Sequence, residues 1–187
     1  MAVKFRHSDI YLMYFCTFTC QQWLPLFELT NSYDLVYKWF NYLKNKNIAD
    51  TIAYVIMPNH LHNILYFPKE GFDLNKIVGN AKRFMAYDIV ERLNEIERLD
   101  ILKQLSDVLT IREIKKGQKH KVFIDSFDAK PIYSEPFLFQ KLNYIHHNPV
   151  SGKWSLVQDY TDYEHSSASF YECNKVKHFA PKHYNDL

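Results

Sequence analysis

The sequence predicts an α+β fold of the split βαβ, ferredoxin-like class: a largely antiparallel sheet with helices packed mainly on one face. Two observations lead there. Strand-like and helix-like segments follow one another in the order β-α-β-β-α-β, and the second crossover is one long helical region. A third observation bounds the size: 187 residues with 47% hydrophobic content suit a single domain with a sizeable core.

Tyr11 to Thr19, YLMYFCTFT, is aromatic and β-branched, as strands are. Leu29 to Lys46 reads as a helix, with Leu35, Trp39, Phe40 and Leu43 in one stripe and Asn31 or Ser32 as cap. Ile52 to Ile56 and His60 to Phe67 are the second and third strands. Met57-Pro58-Asn59 turns between them, where the missing N–H of Pro58 costs nothing. Leu74 to Leu93 is a long helix with Leu74, Ile77, Val78, Phe84, Ile89 and Val90 apolar, and Ile96 to Leu109 a second, more charged piece. Together they read as a helical insertion around 74–110. Val122 to Phe127, with Pro131 to Tyr133, continues the sheet. Glu135 to Asn148 is the last strong helix, with Ser134 as N-cap and Pro136 in its first turn. Val157 to Tyr163 is a polar connector, Ser166 to Cys173 a short helix, and the tail from about Lys175 is expected to be loose.

Several function classes are excluded early. No apolar run approaches the roughly 18–20 residues of a membrane span, and MAVKFRHSDI lacks a signal peptide's apolar stretch. A cytoplasmic protein without membrane association is the expectation. Three cysteines give no disulfide framework; Cys16 and Cys20 read as small buried thiols, since no further zinc ligands stand at suitable spacing. A net charge of +2 announces no partner. The run REIKKGQKHK holds Arg112, Lys115, Lys116, Lys119 and Lys121, a solvated loop by composition that could also track phosphates.

The chemistry-bearing residues fall in two places. In YVIMPNHLHNILYF, His60 and His62 share one strand face while Leu61 turns to the other. Two imidazoles suit a metal, although two ligands alone do not make a site, and a pair bonded to carbonyls or solvent is the plainer reading. In KLNYIHHNPV, Tyr144 and Asn148 lie four apart on one helical face, off the Leu138, Leu142, Ile145 core stripe. Pro149 biases Asn148 away from the α region, so the helix should stop there. The plainer reading of that pair is an edge aromatic with a C-terminal cap.

Taken together, the two segments resemble the single-tyrosine HUH transposases, and in particular the REP-associated tyrosine transposases and their insertion-sequence-200-like relatives. MPNHLHNIL is similar to that family's proline-polar-His-apolar-His pattern, and YIHHNPVSGKWSLV to its tyrosine helix and following turn. IVGNAKRFMAYDI and DYEHSSASFY extend the likeness over nearly the whole chain. The chain departs from the pattern at Phe123-Ile124, where the family often has Trp-Gln.

The resemblance implies roles residue by residue. Tyr144 would be the nucleophile, His60 and His62 metal ligands, and Asn148 the third ligand. Lys82, with Arg83 beside it and the 112–121 basic run, would contact phosphate. The donor set by itself allows Zn, Cu, Fe or Ni as well as Mg or Mn; the resemblance implies Mg²⁺ or Mn²⁺. It also implies single-stranded or hairpin DNA as partner, cut by transesterification through a 5′-phosphotyrosine. Family members occur as monomers and as homodimers that exchange tyrosine helices, and the sequence leaves both open. Two other readings stay in view: a non-catalytic nucleic-acid-binding protein of the same fold, and a metal hydrolase whose nucleophile is water.

Overall fold

A computed structural model describes residues 11–152 and 154–187; the N-terminal segment read for a signal peptide lies outside them. The elements are β1 (Met13–Thr19), α1 (Leu26–Leu29), α2 (Tyr33–Asn45), β2 (Asp50–Met57), β3 (His60–Tyr66), α3 (Leu74–Glu95), α4 (Leu99–Asp107), α5 (Ile111–Lys115), β4 (Asp128–Pro131), α6 (Glu135–His147) and α7 (Ala168–Cys173). The strands form one antiparallel sheet in the order β2-β3-β1-β4, the order a split βαβ unit produces.

Strand parity sorts the side chains into two cores. Tyr14, Cys16 and Phe18 of β1 and Leu61 and Leu65 of β3 face a layer built from α2, α3 and α4. Both cysteines are buried there, and burial raises their thiol pKa values, as expected of inert packing groups. On the opposite face lie Phe15, Val55, Met57 and Ile64, which α6 covers with Leu138, Leu142 and Ile145. Helices thus touch both faces, with the larger helical layer on the α2–α4 side. The aliphatic residues beside the histidines need a cover, and the apolar stripe of α6 supplies it.

Two expectations change. The fourth strand is Asp128–Pro131, later than Val122 to Phe127; of that segment, Phe123 forms only an isolated bridge with Cys20. Its side chain turns into the helical-side core, against Phe18 and Phe27. The tail from Lys175 is not loose. Phe179 packs on Phe40 and Tyr54, its carbonyl accepts from the Tyr54 hydroxyl at 3.1 Å, and the Lys182 N–H bonds the Thr51 carbonyl at 2.9 Å. Among the described residues no helix is long and apolar enough to cross a membrane.

Candidate active site

The β2–β3 hairpin places the first histidine. Pro58 and Asn59 form its two-residue turn, between the paired Met57 and His60. Asn59 then does two things: its Nδ2 donates to the Trp23 carbonyl at 3.0 Å, and its Oδ1 lies 2.6 Å from His60 Nδ1. Because the amide nitrogen is committed to a carbonyl, the oxygen must face the ring, so His60 Nδ1 carries the proton. The lone pair of His60 is thereby left on Nε2.

Two residues along β3, His62 projects from the same face, as parity requires. Its Nδ1 lies 2.6 Å from the hydroxyl of Thr17, the residue paired with it on β1. Its ring stacks on Phe15 and meets that of His60 at a centroid distance of 4.6 Å. Each histidine is only 5% exposed. Burial lowers the His60 pKa to about 4, against a smaller upward pull from the Asn148 side chain. His62 is held well below the ordinary imidazole range by burial, then by His60 and Lys141. Both rings are therefore neutral at pH 7, with lone pairs to offer.

Helix α6 brings the other two residues. Ser134 caps it by accepting from the Phe137 N–H at 3.4 Å, and Pro136 sits in the first turn, as the sequence predicts. Tyr144 is 46% exposed and its hydroxyl lies 3.4 Å from His62 Nε2. The helix ends at His147, but Asn148 keeps right-handed helical angles and starts a 3₁₀ turn through Val150. Pro149 thus tightens the helix rather than pushing Asn148 off it, and Asn148 stays in phase with Tyr144. Its buried Oδ1 has no partner at full hydrogen-bond geometry, and the side chain exerts only the weak upward pull on His60. An unsatisfied buried carbonyl oxygen costs roughly 1–3 kcal/mol, and a cation would relieve that cost. Two neutral imidazoles with orienting partners and one orphaned amide oxygen fit a divalent ion. Among the described residues no three His, Cys, Asp or Glu side chains converge, and the Asn148 amide oxygen is the further side-chain donor beside the two rings.

The basic residues do not join this cluster. Lys82 donates to the carbonyls of Ile124, Asp125 and Ser126 at 2.6, 3.0 and 3.5 Å, clamping that loop to α3 on the helical side of the sheet. Its ammonium is spent on the fold, with a pKa lowered to about 8 chiefly by burial. Arg83 is exposed and lies over the Phe84 ring. The 112–121 run begins as α5, held by a capping box between Thr110 and Glu113. Lys121 is paired with Glu113 and Asp125, both at 2.7 Å, whereas Arg112, Lys115, Lys116 and Lys119 are exposed. A cavity of about 570 Å³ lies between α2 and α3, lined by Trp39, Tyr42 and Phe84, on the face away from the histidines.

Sequence reasoning missed Thr17, Asn59 and Lys141. For Asn59 a signal existed, since Asn-His adjacency at a turn puts an amide beside an imidazole.

No family model and no curated protein matches the chain. Among solved structures, a REP-associated tyrosine transposase bound to a REP hairpin is similar at 18% identity, with a TM-score of 0.57 over 96% of this chain and 92% of that one. A candidate transposase of Deinococcus radiodurans aligns at 15% identity and a TM-score of 0.42, over 75% of this chain and 92% of the other. The chain has the fold of that REP-associated tyrosine transposase.

Proposed function

We propose that the chain is a metal-dependent transposase that cuts and rejoins single-stranded DNA near a hairpin, with Tyr144 as nucleophile. One observation carries the reading: the half-exposed Tyr144 hydroxyl stands against His62 Nε2, in a pocket whose remaining unsatisfied acceptor is Asn148 Oδ1. The fold shared with a hairpin-bound tyrosine transposase supports it.

His60, His62 and Asn148 would hold Mg²⁺ or Mn²⁺, with Mn²⁺ better matched to nitrogen donors. When bound, such an ion supplies Lewis-acid polarisation of a non-bridging phosphate oxygen. The chain's own residues do the rest. Thr17 and Asn59 fix the two rings, and Phe15 backs His62 from beneath. Tyr144 attacks phosphorus through its phenolic oxygen, and that oxygen's proton goes to the solvent reaching this half-exposed side chain. The new bond joins Tyr144 to the 5′-phosphate; the bond to the 3′ oxygen breaks, and that oxygen leaves as a hydroxyl by taking up a proton. One phosphoester replaces another, so an incoming 3′-OH can reverse the exchange and rejoin DNA without an external energy source.

The test is incubation of end-labelled, hairpin-bearing single-stranded DNA with the protein and Mn²⁺, resolved on a denaturing gel. Wild type should shift label into a protein adduct, and Tyr144→Phe should bind the same DNA and form none. An adduct with Tyr144→Phe means another nucleophile. Cleavage without any adduct means a hydrolase, and binding without cleavage a DNA-binding protein of this fold.

A further inference from the structure

Lys141 stands one helical turn before Tyr144, on the stripe that continues to Asn148. Its Nζ lies 4.9 Å from the ring centroid of Phe15, 5.1 Å from Phe137 and 5.6 Å from Tyr144. Ring contacts offset part of an ammonium's desolvation. They do not neutralise it. Among the described residues Lys141 has no carboxylate within ion-pair distance. Burial and the charge of Lys130 lower its proton affinity, with Asp128 opposing.

A second cation lies alongside. Lys130 of β4 pairs in register with Phe15, and Asp128 with Thr17, so both project on the histidine face. The Lys130–Asp128 contact is 3.9 Å, at the limit of an ion pair. Lys130 thus holds a weak pair with Asp128 while Lys141 has none, which leaves an excess of positive charge beside the proposed phosphate pocket. On the other flank Leu138, Leu142 and Ile145 of α6 close the sheet face over β2. A polyanionic strand reaching Tyr144 meets hydrocarbon on that side and positive charge on the β1–β4 side.

We infer that Lys141, seconded by Lys130, is a phosphate-binding position that holds the DNA strand against the β1–β4 edge of the sheet and so sets the strand's direction past Tyr144. The inference rests on the proposed function and names where the strand runs. It assigns that work to these two lysines in place of Lys82 and the α5 run. Lys141 is a positioning residue: it holds the phosphodiester next to the one attacked.

The experiment measures the affinity of a fluorescent hairpin oligonucleotide with a single-stranded flank across a salt series. The protein carries Tyr144→Phe, so that no adduct forms. Each phosphate contact on a single strand contributes about 0.7 to the slope of log K against log salt, or roughly fivefold in affinity near ~0.1 M. Lys141→Gln keeps the stem and should lower the slope by about that amount, with Lys130→Gln similar in direction. Lys141→Arg should restore it, and Lys116→Gln should leave it unchanged. A merely structural role for Lys141 would not move the slope. An unchanged slope for Lys141→Gln, or an equal loss for Lys116→Gln, overturns the inference while leaving the proposed function in place. Failure of the parent protein to bind the oligonucleotide at any salt overturns both.

Discussion

The hydroxyl of Thr17 shows how much of a candidate site can hang on a residue that does no chemistry. It lies 2.6 Å from His62 Nδ1 and holds the ring so that Nε2 faces the Tyr144 hydroxyl at 3.4 Å. Removing the hydroxyl but keeping the shape, as in Thr17→Val, should weaken Mn²⁺ binding by about 10-fold or more, as for other orienting partners of metal-bound histidine. Calorimetric titration reads this directly, and wild-type affinity in the variant would mean that Thr17 is packing only. Thr17 was not legible in the sequence, because its pairing with His62 is a matter of register between strands 45 residues apart. The histidines themselves were legible, since period-two alternation put them on one face before any register was known. The surroundings of Lys82 were hidden for a similar reason. A basic residue on a helix shows its charge in the sequence but not the three carbonyls that absorb it.

At the scale of elements, α6 and the tail mark the boundary of what pattern reveals. Helical period alone separated the core stripe of α6 from Tyr144 and Asn148, and the structure keeps that separation. The tail offers no period, only Lys, His and Pro around a few apolar residues, so its packing could not be seen. Yet Phe179 is 7% exposed, wedged against Phe40 and Tyr54, with its backbone tied to the Tyr54 hydroxyl. Phe179→Ala should therefore cost about 3 kcal/mol of unfolding free energy, as expected for deleting a buried aromatic ring. Val176→Ala, at a half-exposed position three residues earlier, should stay within about 0.5 kcal/mol. Urea unfolding of both distinguishes a docked tail from a loose one, and equal small losses would restore the loose tail of the sequence reading. β4 was displaced for a related reason. The aromatic, β-branched look of Val122 to Phe127 reflects burial of Val122 and Phe123 in the helical-side core, with pairing limited to one bridge at the end of β1.

For the whole molecule, the most testable consequence is how stability responds to acid. Two histidines outside the proposed ligand set, one buried and one half-buried, are held neutral. His146, against the Ser167 hydroxyl at 3.0 Å, has its pKa lowered to about 4 by burial and by His147. His165, bonded to the Tyr37 hydroxyl at 2.9 Å and stacked on Tyr33, is lowered to about 4 by burial and by His178. In the unfolded chain both take up protons near ~6.5. Between about 6.5 and 4, unfolding therefore binds protons that the native state refuses. Stability is complete above this window and falls as pH drops through it, by about 1.4 kcal/mol per pH unit for each such histidine once the unfolded form is protonated. His60 behaves alike, so acid loss of a metal should set in nearer pH 4 than the pH 6 that unperturbed imidazoles suggest. Carboxylates enter only at the window's lower end: Asp100 and Glu113 are lowered to about 2, chiefly by Arg98 and Lys121, while unfolded carboxylates titrate near ~4, so the two middle points carry the histidine signal. The measurement is the unfolding free energy from urea titrations at pH 7.5, 6.5, 5.5 and 4.5, on wild type and His146→Gln. Gln keeps a partner for Ser167 but cannot titrate, so its curve should be shallower by about one proton's worth between the two middle points. Parallel curves for the two proteins would show that His146 is already able to accept a proton in the fold, and that burial at this position does not govern the acid response.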